Sequence, residues 1–390
     1  MATAREFGII VYGATGYTGR LVCEYLNNQY GVNGDVTWAM AGRSEEKLAA
    51  VRDEMGIPKD VPFVVSDASD YSSIEAMVKR TNVILTTVGP YQLYGSDVVK
   101  ACAEAGTDYV DLCGEPGWMH EMIPAHQAAA KASGARIVFS CGFDSVPFDL
   151  GVYFLQQTAK EKLGGPVARV KGRVRTMKGT FSGGTLASFK ETMKAASKNP
   201  ELINVLMNPF SLTEGFNGPE QPSGMAPLFE EDLKSWSAPF VMATINTKNI
   251  HRSNYLLAHE YGDDFVYDEM LLTGPGDQGE AIAKAVAEDK SMATDPMKPG
   301  EGPTKEAREA GCYDVLFVGS NAAGERVMAS VKGDKDPGYG STCKMIAESA
   351  VCLLKNPEAA RGGIWTPASA MGSLLIERLQ ANAGLTFTVE

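Results

Sequence analysis

A doubly wound parallel sheet, followed by an α+β second domain with an antiparallel sheet, makes up the α/β architecture that this sequence predicts. Three observations carry it. Short β-rich runs alternate with helically spaced segments up to Ser145, a glycine-rich turn joins the first run to the first helix, and beyond Pro147 the hydrophobic period changes to two.

In order, strands are expected at residues 7–12, 36–41, 63–65, 83–88, 109–112 and 136–140. Between them Leu21, Val22, Tyr25 and Leu26, then Leu48, Val51 and Met55, then Val98, Val99 and Cys102 recur at the spacing that puts apolar side chains on one helix face. Gly106 and Gly134 stand where helices should end, in the left-handed conformation glycine adopts without a Cβ penalty. Six strands in this rhythm predict a Rossmann sheet. Residues 168–176 then alternate apolar and basic, as an antiparallel strand with one wet face does. Residues 208–239, rich in Pro and Gly, read as a long loop with short helical pieces, either a substrate lid or surface decoration. Strand patterns return at 264–272 and 325–331, and helices at 341–354 and 368–379 close the chain.

Composition narrows the class. With 44% apolar and 22% charged residues the 390-residue chain is ordinary for a globular protein of two domains. A net charge of -12 argues against a nucleic-acid partner, which needs basic surface. Seven scattered cysteines, none spaced as CxxC, suggest neither a disulfide framework nor a zinc site, and fit a reducing cytoplasmic setting. No secretory leader is read over residues 1–6, and no apolar run is long enough to span a membrane; peripheral contact stays open. His120, His126, His251 and His259 include no i, i+4 pair, so no metal is expected.

The segment from Gly8 to Val22 is the most informative. In Gly13-Ala-Thr15-Gly16-Tyr17-Thr18-Gly19, Gly13 permits a tight turn, Gly16 lets the backbone approach a pyrophosphate, and Gly19 allows close helix–strand packing, with the helix N-terminus holding the phosphates. The end of the second strand reads Ala41-Gly42-Arg43-Ser44, without the acidic residue that would bind a free ribose 2′-hydroxyl. Arg43, Ser44 and Lys47 instead supply the cations and hydroxyl a 2′-phosphate requires, so the expected cofactor is NADP, as NADPH. Ser44 is also a natural helix cap. Asp67 is placed either against the adenine amino group or as the cap of the following helix.

Ligands of such sheets lie at the carboxyl edge, where Val88-Gly89-Pro90-Tyr91, Cys113-Gly114-Glu115 and Cys141-Gly142-Phe143-Asp144 converge. Val88, Gly89, Pro90 and Gly114 are assigned to the nicotinamide end. Tyr91, Tyr94 and Asp144 are the candidate catalytic groups, and Glu115 is assigned to substrate. Ser182 and Thr185, opening a helix, and Arg252 are further substrate candidates. Arg169, Lys171, Arg173 and Arg175 share one face of their strand, either solvated or forming a floor for an anionic group. Residues 202–210 are apolar enough for a core helix or for the wall of a substrate entrance. The expected division is an NADP-binding unit over residues 1–148, an α+β substrate unit over 149–335, and C-terminal helices over 336–390.

The segments GATGYTGRLV, AGRSEEKL, VGPYQLYGSDVVKACAEAGTDYVDLCGE, CGFDSVPFDLG, SGGTLAS, APFVMATINTKNIHRS, DPGYGSTCKMIAESAVCLL and WTPASAMG together resemble the saccharopine dehydrogenase-like oxidoreductases, in the branch that includes the trans-acting enoyl reductases. The resemblance covers nearly the whole chain. It implies that the C-terminal helices return to the NADP-binding unit, and a reductase of an enoyl or carbonyl group on a small molecule, acyl-type or lipid-like; it transfers no catalytic residue. A reductase of small amino or carboxylic acids and a non-enzymatic dinucleotide sensor are the alternatives, and a homodimer is left open.

Overall fold

The computed structural model describes residues 5–32 and 34–390; the stretch read as leaderless, residues 1–6, falls mostly outside them. The strands are β1 (Phe7–Tyr12), β2 (Trp38–Gly42), β3 (Phe63–Val65), β4 (Thr81–Thr86), β5 (Asp108–Val110), β6 (Arg136–Val138), β7 (Arg169–Lys178), β8 (Leu228–Glu230), β9 (Ser235–Pro239), β10 (Val266–Gly274), β11 (Cys312–Ser320), β12 (Arg326–Gly333), β13 (Gly363–Trp365) and β14 (Leu385–Val389). The first sheet runs β13-β6-β5-β4-β1-β2-β3, all parallel. Every residue of β1 is buried, because helices cover both faces; its sequence is therefore continuously apolar rather than alternating. The chain order reverses between β1 and β4, which opens a crevice beyond their carboxyl ends.

The second sheet runs β14-β12-β11-β7-β10-β9-β8. It is mixed rather than purely antiparallel. β7 pairs antiparallel with β11 but parallel with β10, and the crossover between β7 and β10 holds three helices, Gly183–Lys198, Pro200–Met207 and Ala243–Leu256. Alternation along one strand carries no mark of its neighbours' directions. Residues 208–239 are not all loop either, since they contain β8 and β9. The C-terminal segment serves both sheets: β13 extends the first beside β6 and β14 edges the second beside β12. Within it the helix Thr342–Lys355 buries Glu348, whose carboxylate accepts from Tyr25 Oη at 2.7 Å and Tyr30 Oη at 2.5 Å and pairs with Arg378 at 2.7 Å. That ties the first helix of the parallel sheet, Tyr17–Tyr30, to the end of the chain.

The basic row on β7 is neither solvated nor an anion floor. Arg173 is fully buried between Glu230 (2.6 Å) and Asp268 (2.8 Å), Arg169 pairs with Asp268, Lys171 with Glu230 and Asp232, and Arg175 with Asp314 and Glu390. Each cation is answered by carboxylates from distant segments. A buried charge is tolerated only so paired.

Candidate active site

The glycine turn separates packing from binding. A β-carbon on Gly19 would fall 2.1 Å from the Gly13 carbonyl oxygen, and one on Gly13, at φ +91°, would meet Val88 and Thr87 within 2.9 Å. Both glycines are therefore required by the fold itself. At Gly16 a β-carbon would approach only the Gly13 oxygen, at 3.3 Å; Gly16 is exposed and leaves the first turn of helix Tyr17–Tyr30 without a side-chain cap. Uncapped N–H groups at a helix start, with open space in front, suit a pyrophosphate.

Arg43 and Lys47 are exposed just past β2 and make no ion pair among the described residues. Ser44 caps the helix Glu45–Glu54, accepting from Lys47 N at 3.3 Å. Asp67 does not cap a helix; Asp70 does, for Tyr71–Val78. The Asp67 carboxylate instead accepts from Ser69 N and Oγ, which, with Arg43 nearby, holds it below the usual carboxylate range. Arg43 and Lys47 are thus exposed and within salt-bridge distance of no carboxylate among the described residues, with Asp67 the acid nearest Arg43.

From this crevice a cavity of about 1040 Å³ continues into the second sheet's side of the molecule. Thr18, Gly89 and Gly114 line it at one end, with Asp144, Ser182 and Thr185; Leu206, Met207, Phe210 and Phe240 supply apolar wall. Asp144 is partly open to the cavity, receives no hydrogen bond among the described residues, and is pushed by burial up to about 6. Ser182 caps the helix Gly183–Lys198 by accepting from Thr185 N. Val88 and Pro90 flank Gly89, with Val88 N donating to Thr86 Oγ1 at 3.2 Å.

Four of the sequence-derived site residues do other work. Tyr91 borders the cavity, but its phenol donates to the Thr86 carbonyl (3.2 Å) and accepts from Leu112 N (3.0 Å), so its hydroxyl is engaged with the backbone of the wall. Tyr94 is 46% exposed and does not border the cavity. Both oxygens of Glu115 are taken by Tyr91 N (2.8 Å) and Gln92 N (2.9 Å), so Glu115 fixes the Gly89–Pro90 turn rather than a substrate. Arg252 donates to the Leu212 and Ile364 carbonyls from a buried position and does not reach the cavity. Tyr17 is likewise more than a turn residue: it donates to the Pro303 carbonyl, accepts from Arg308 at 2.9 Å, and packs edge-on to Tyr339 at 5.1 Å.

Three cavity residues left no periodic signal. Tyr339 borders the cavity opposite the glycine turns, where Ser182 N donates to its hydroxyl and Thr185 Oγ1 lies at 2.9 Å. Lys248 is buried, donates to the Leu206 (2.7 Å) and Thr244 (3.1 Å) carbonyls, and is brought down by burial to about 8. Glu269, held by Asn246 Nδ2 (2.7 Å) and Tyr267 Oη (2.8 Å), is pushed by burial up to about 8. A lone Lys or Glu inside an otherwise ordinary segment looks like surface until the fold buries it.

A parallel nucleotide-binding sheet joined through one cavity to a mixed sheet defines a dinucleotide-dependent oxidoreductase. Residues 9–138 match the saccharopine dehydrogenase NADP-binding domain. A Mycobacterium tuberculosis protein described as a candidate trans-acting enoyl reductase is 39% identical, over 97% of either chain. A trans-acting enoyl reductase of Mycobacterium ulcerans is 36% identical over 96% of each. In fold, the chain is similar to saccharopine dehydrogenase (L-Glu forming) of Saccharomyces cerevisiae, at a TM-score of 0.56 and 11% identity over 98% of this chain and 100% of that one. The chain belongs to the saccharopine dehydrogenase-like oxidoreductases, with the trans-acting enoyl reductases as full-length relatives, and its cofactor is NADP(H). Among the described residues no helix is long and apolar enough to cross a membrane.

Proposed function

We propose that this protein reduces an enoyl or carbonyl group on an acyl-type, lipid-like substrate with NADPH. The observation that carries the reading is the single cavity bordered by Thr18, Gly89 and Gly114 at one end and by Leu206, Met207, Phe210 and Phe240 elsewhere. It gives a flat ring room against bare backbone and an alkyl chain an apolar wall. The curated relatives carry the name enoyl reductase over their whole length, which favours an activated double bond.

In this assignment the N-terminus of Tyr17–Tyr30, with Thr15, Gly16 and Thr18, holds the pyrophosphate, and Arg43 with Lys47 holds the 2′-phosphate. Bound NADPH supplies the hydride. The Gly89 turn leaves space for the ring, the Asp144 carboxyl, seated over Gly114, orients what lies beside it, and the apolar wall excludes water. Residues 1–148 would bind the nucleotide, 149–335 the substrate, and 336–390 would close the cavity through Tyr339. The test is NADPH oxidation by the purified protein with enoyl thioesters and ketones of graded length. Turnover with the enoyl compounds supports the proposal; oxidation by none of the panel overturns it.

A further inference from the structure

Tyr339 and Thr185 face each other across the cavity wall with their hydroxyl oxygens 2.9 Å apart. The Ser182 hydroxyl is a second side-chain neighbour of the Tyr339 oxygen, and Ser182 N donates to that oxygen. Three hydroxyls carry three protons, and the two contacts that Tyr339 makes with the other two use two of them. Whichever way those contacts run, one O–H of the cluster is left with no acceptor within it, on the border of the cavity.

The surroundings aim it at the reacting end. Tyr339 packs against Tyr17, the first helical residue after the glycine turn. The helix that carries Thr185 also carries Ser188, whose hydroxyl lies 3.7 Å from where a Gly89 β-carbon would stand. The backbone of Tyr339 is fixed by Asp336, which accepts from Tyr339 N at 2.9 Å and Gly340 N at 2.7 Å. A phenolate formed here would keep the Ser182 N–H, at the start of the 16-residue helix Gly183–Lys198, and gain the Thr185 O–H.

We propose that the Tyr339–Thr185 pair is the proton donor of the reduction, binding the reacting carbonyl oxygen through its spare O–H. The inference rests on the reductase reading above. As a C–H bond forms from the hydride, at the β-carbon of an enoyl substrate or at a carbonyl carbon, NADPH is oxidised to NADP+ and an electron pair moves onto the substrate oxygen. The Tyr339 O–H bond breaks and its proton passes to that oxygen, either directly or through the Thr185 hydroxyl, which gives its own proton to the substrate as it takes the phenol's. The product is the alcohol, or an enol that tautomerises to the saturated acyl compound; water then reprotonates the phenolate.

Tyr339→Phe keeps the ring against Tyr17 and removes only the hydroxyl. The expected result is a fall in kcat of at least about 100-fold, in the range of a lost general acid, with NADPH affinity and melting temperature unchanged. Thr185→Val frees the phenol proton but removes one donor to the phenolate, and should cost about tenfold. A second readout needs no cofactor: with a carbonyl-labelled enoyl thioester bound to the protein alone, the infrared carbonyl band should lie at lower frequency in the wild type than in Tyr339→Phe. Equal bands, or a Tyr339→Phe enzyme keeping more than about a third of kcat, would overturn the donor assignment and leave the reductase reading intact. Should Tyr339→Phe fail to fold, Thr185→Val with unaltered kcat and carbonyl band overturns it equally. A wild type that oxidises NADPH with no enoyl or carbonyl compound overturns the reading beneath.

Discussion

The Asp144 carboxylate occupies the space above the Gly114 α-carbon, with Oδ2 2.9 Å from the point where a β-carbon would stand. Bare backbone and an unpartnered carboxyl thus share one patch of cavity wall. Gly114→Ala should push the carboxylate aside and weaken binding at the nicotinamide end, raising KM for NADPH while the pyrophosphate contacts survive. An unchanged KM would show that the ring lies elsewhere.

Burial raises the Asp144 carboxyl from its ordinary 3.8 to about 6, because the charged form loses water and gains no donor. The folded state therefore binds the proton more tightly than the unfolded chain. Stability falls as pH rises from about 4 to about 6, and the full cost, up to about 3 kcal/mol, is present above that. Asp144→Asn, which cannot ionise, should melt higher than wild type at pH 8 and with it at pH 4. Thermal melts at both pH values check this; a constant gap would place the carboxylate in water.

NADPH should bind at least tenfold tighter than NADH, which asks only about 1.4 kcal/mol of the exposed Arg43 and Lys47. Arg43→Ala should lose most of that preference and leave NADH binding as it was. Fluorescence titration with both cofactors decides it. An Arg43→Ala protein with the wild-type preference would move the 2′-phosphate site to another part of the crevice.

The parallel sheet was legible because each of its strands has an apolar centre and its turns need glycine for reasons local to the turn; β1 and β3 fall where the pattern places them. What stayed hidden depends on partners distant in sequence. The apolar run in β11, Val315 to Val318, shows no alternation, since the helix Val146–Leu163 packs against it and β7 and β12 flank it. β13 joins the first sheet from the far end of the chain, outside the strand–helix alternation that marks the other strands. In the site, Tyr91 and Glu115 have the right chemistry in the right turn, but their hydrogen bonds are spent within that turn. Spacing cannot show that. Tyr339 reaches the cavity from nearly 200 residues past Asp144, and only the folded chain brings them together.

Arg173 supplies a stability test. Fully buried between Glu230 and Asp268, it should cost about 3 to 5 kcal/mol when replaced by Ala, because two buried carboxylates lose a shared cation. Arg173→Met with Glu230→Gln should recover part of the loss. Urea unfolding of the three proteins measures it, and a single substitution costing under about 1 kcal/mol would mean that water reaches the site.

Substrate length tests the apolar wall. Leu206, Met207 and Phe210 border the cavity, and Met207, 66% exposed, also faces solvent at its mouth. An alkyl chain lying along them gains at most about 0.8 kcal/mol per buried methylene, about fourfold in kcat/KM. Rates at low substrate should climb with each added methylene and level off once the chain passes Met207 into solvent. Leu206→Asn makes the wall polar without offering a counter-ion to Lys248, whose ammonium already holds the Leu206 carbonyl at 2.7 Å. It should flatten the climb while NADPH affinity stays constant. A profile already flat in the wild type would mean that the reacting group alone is recognised and that the apolar wall serves packing.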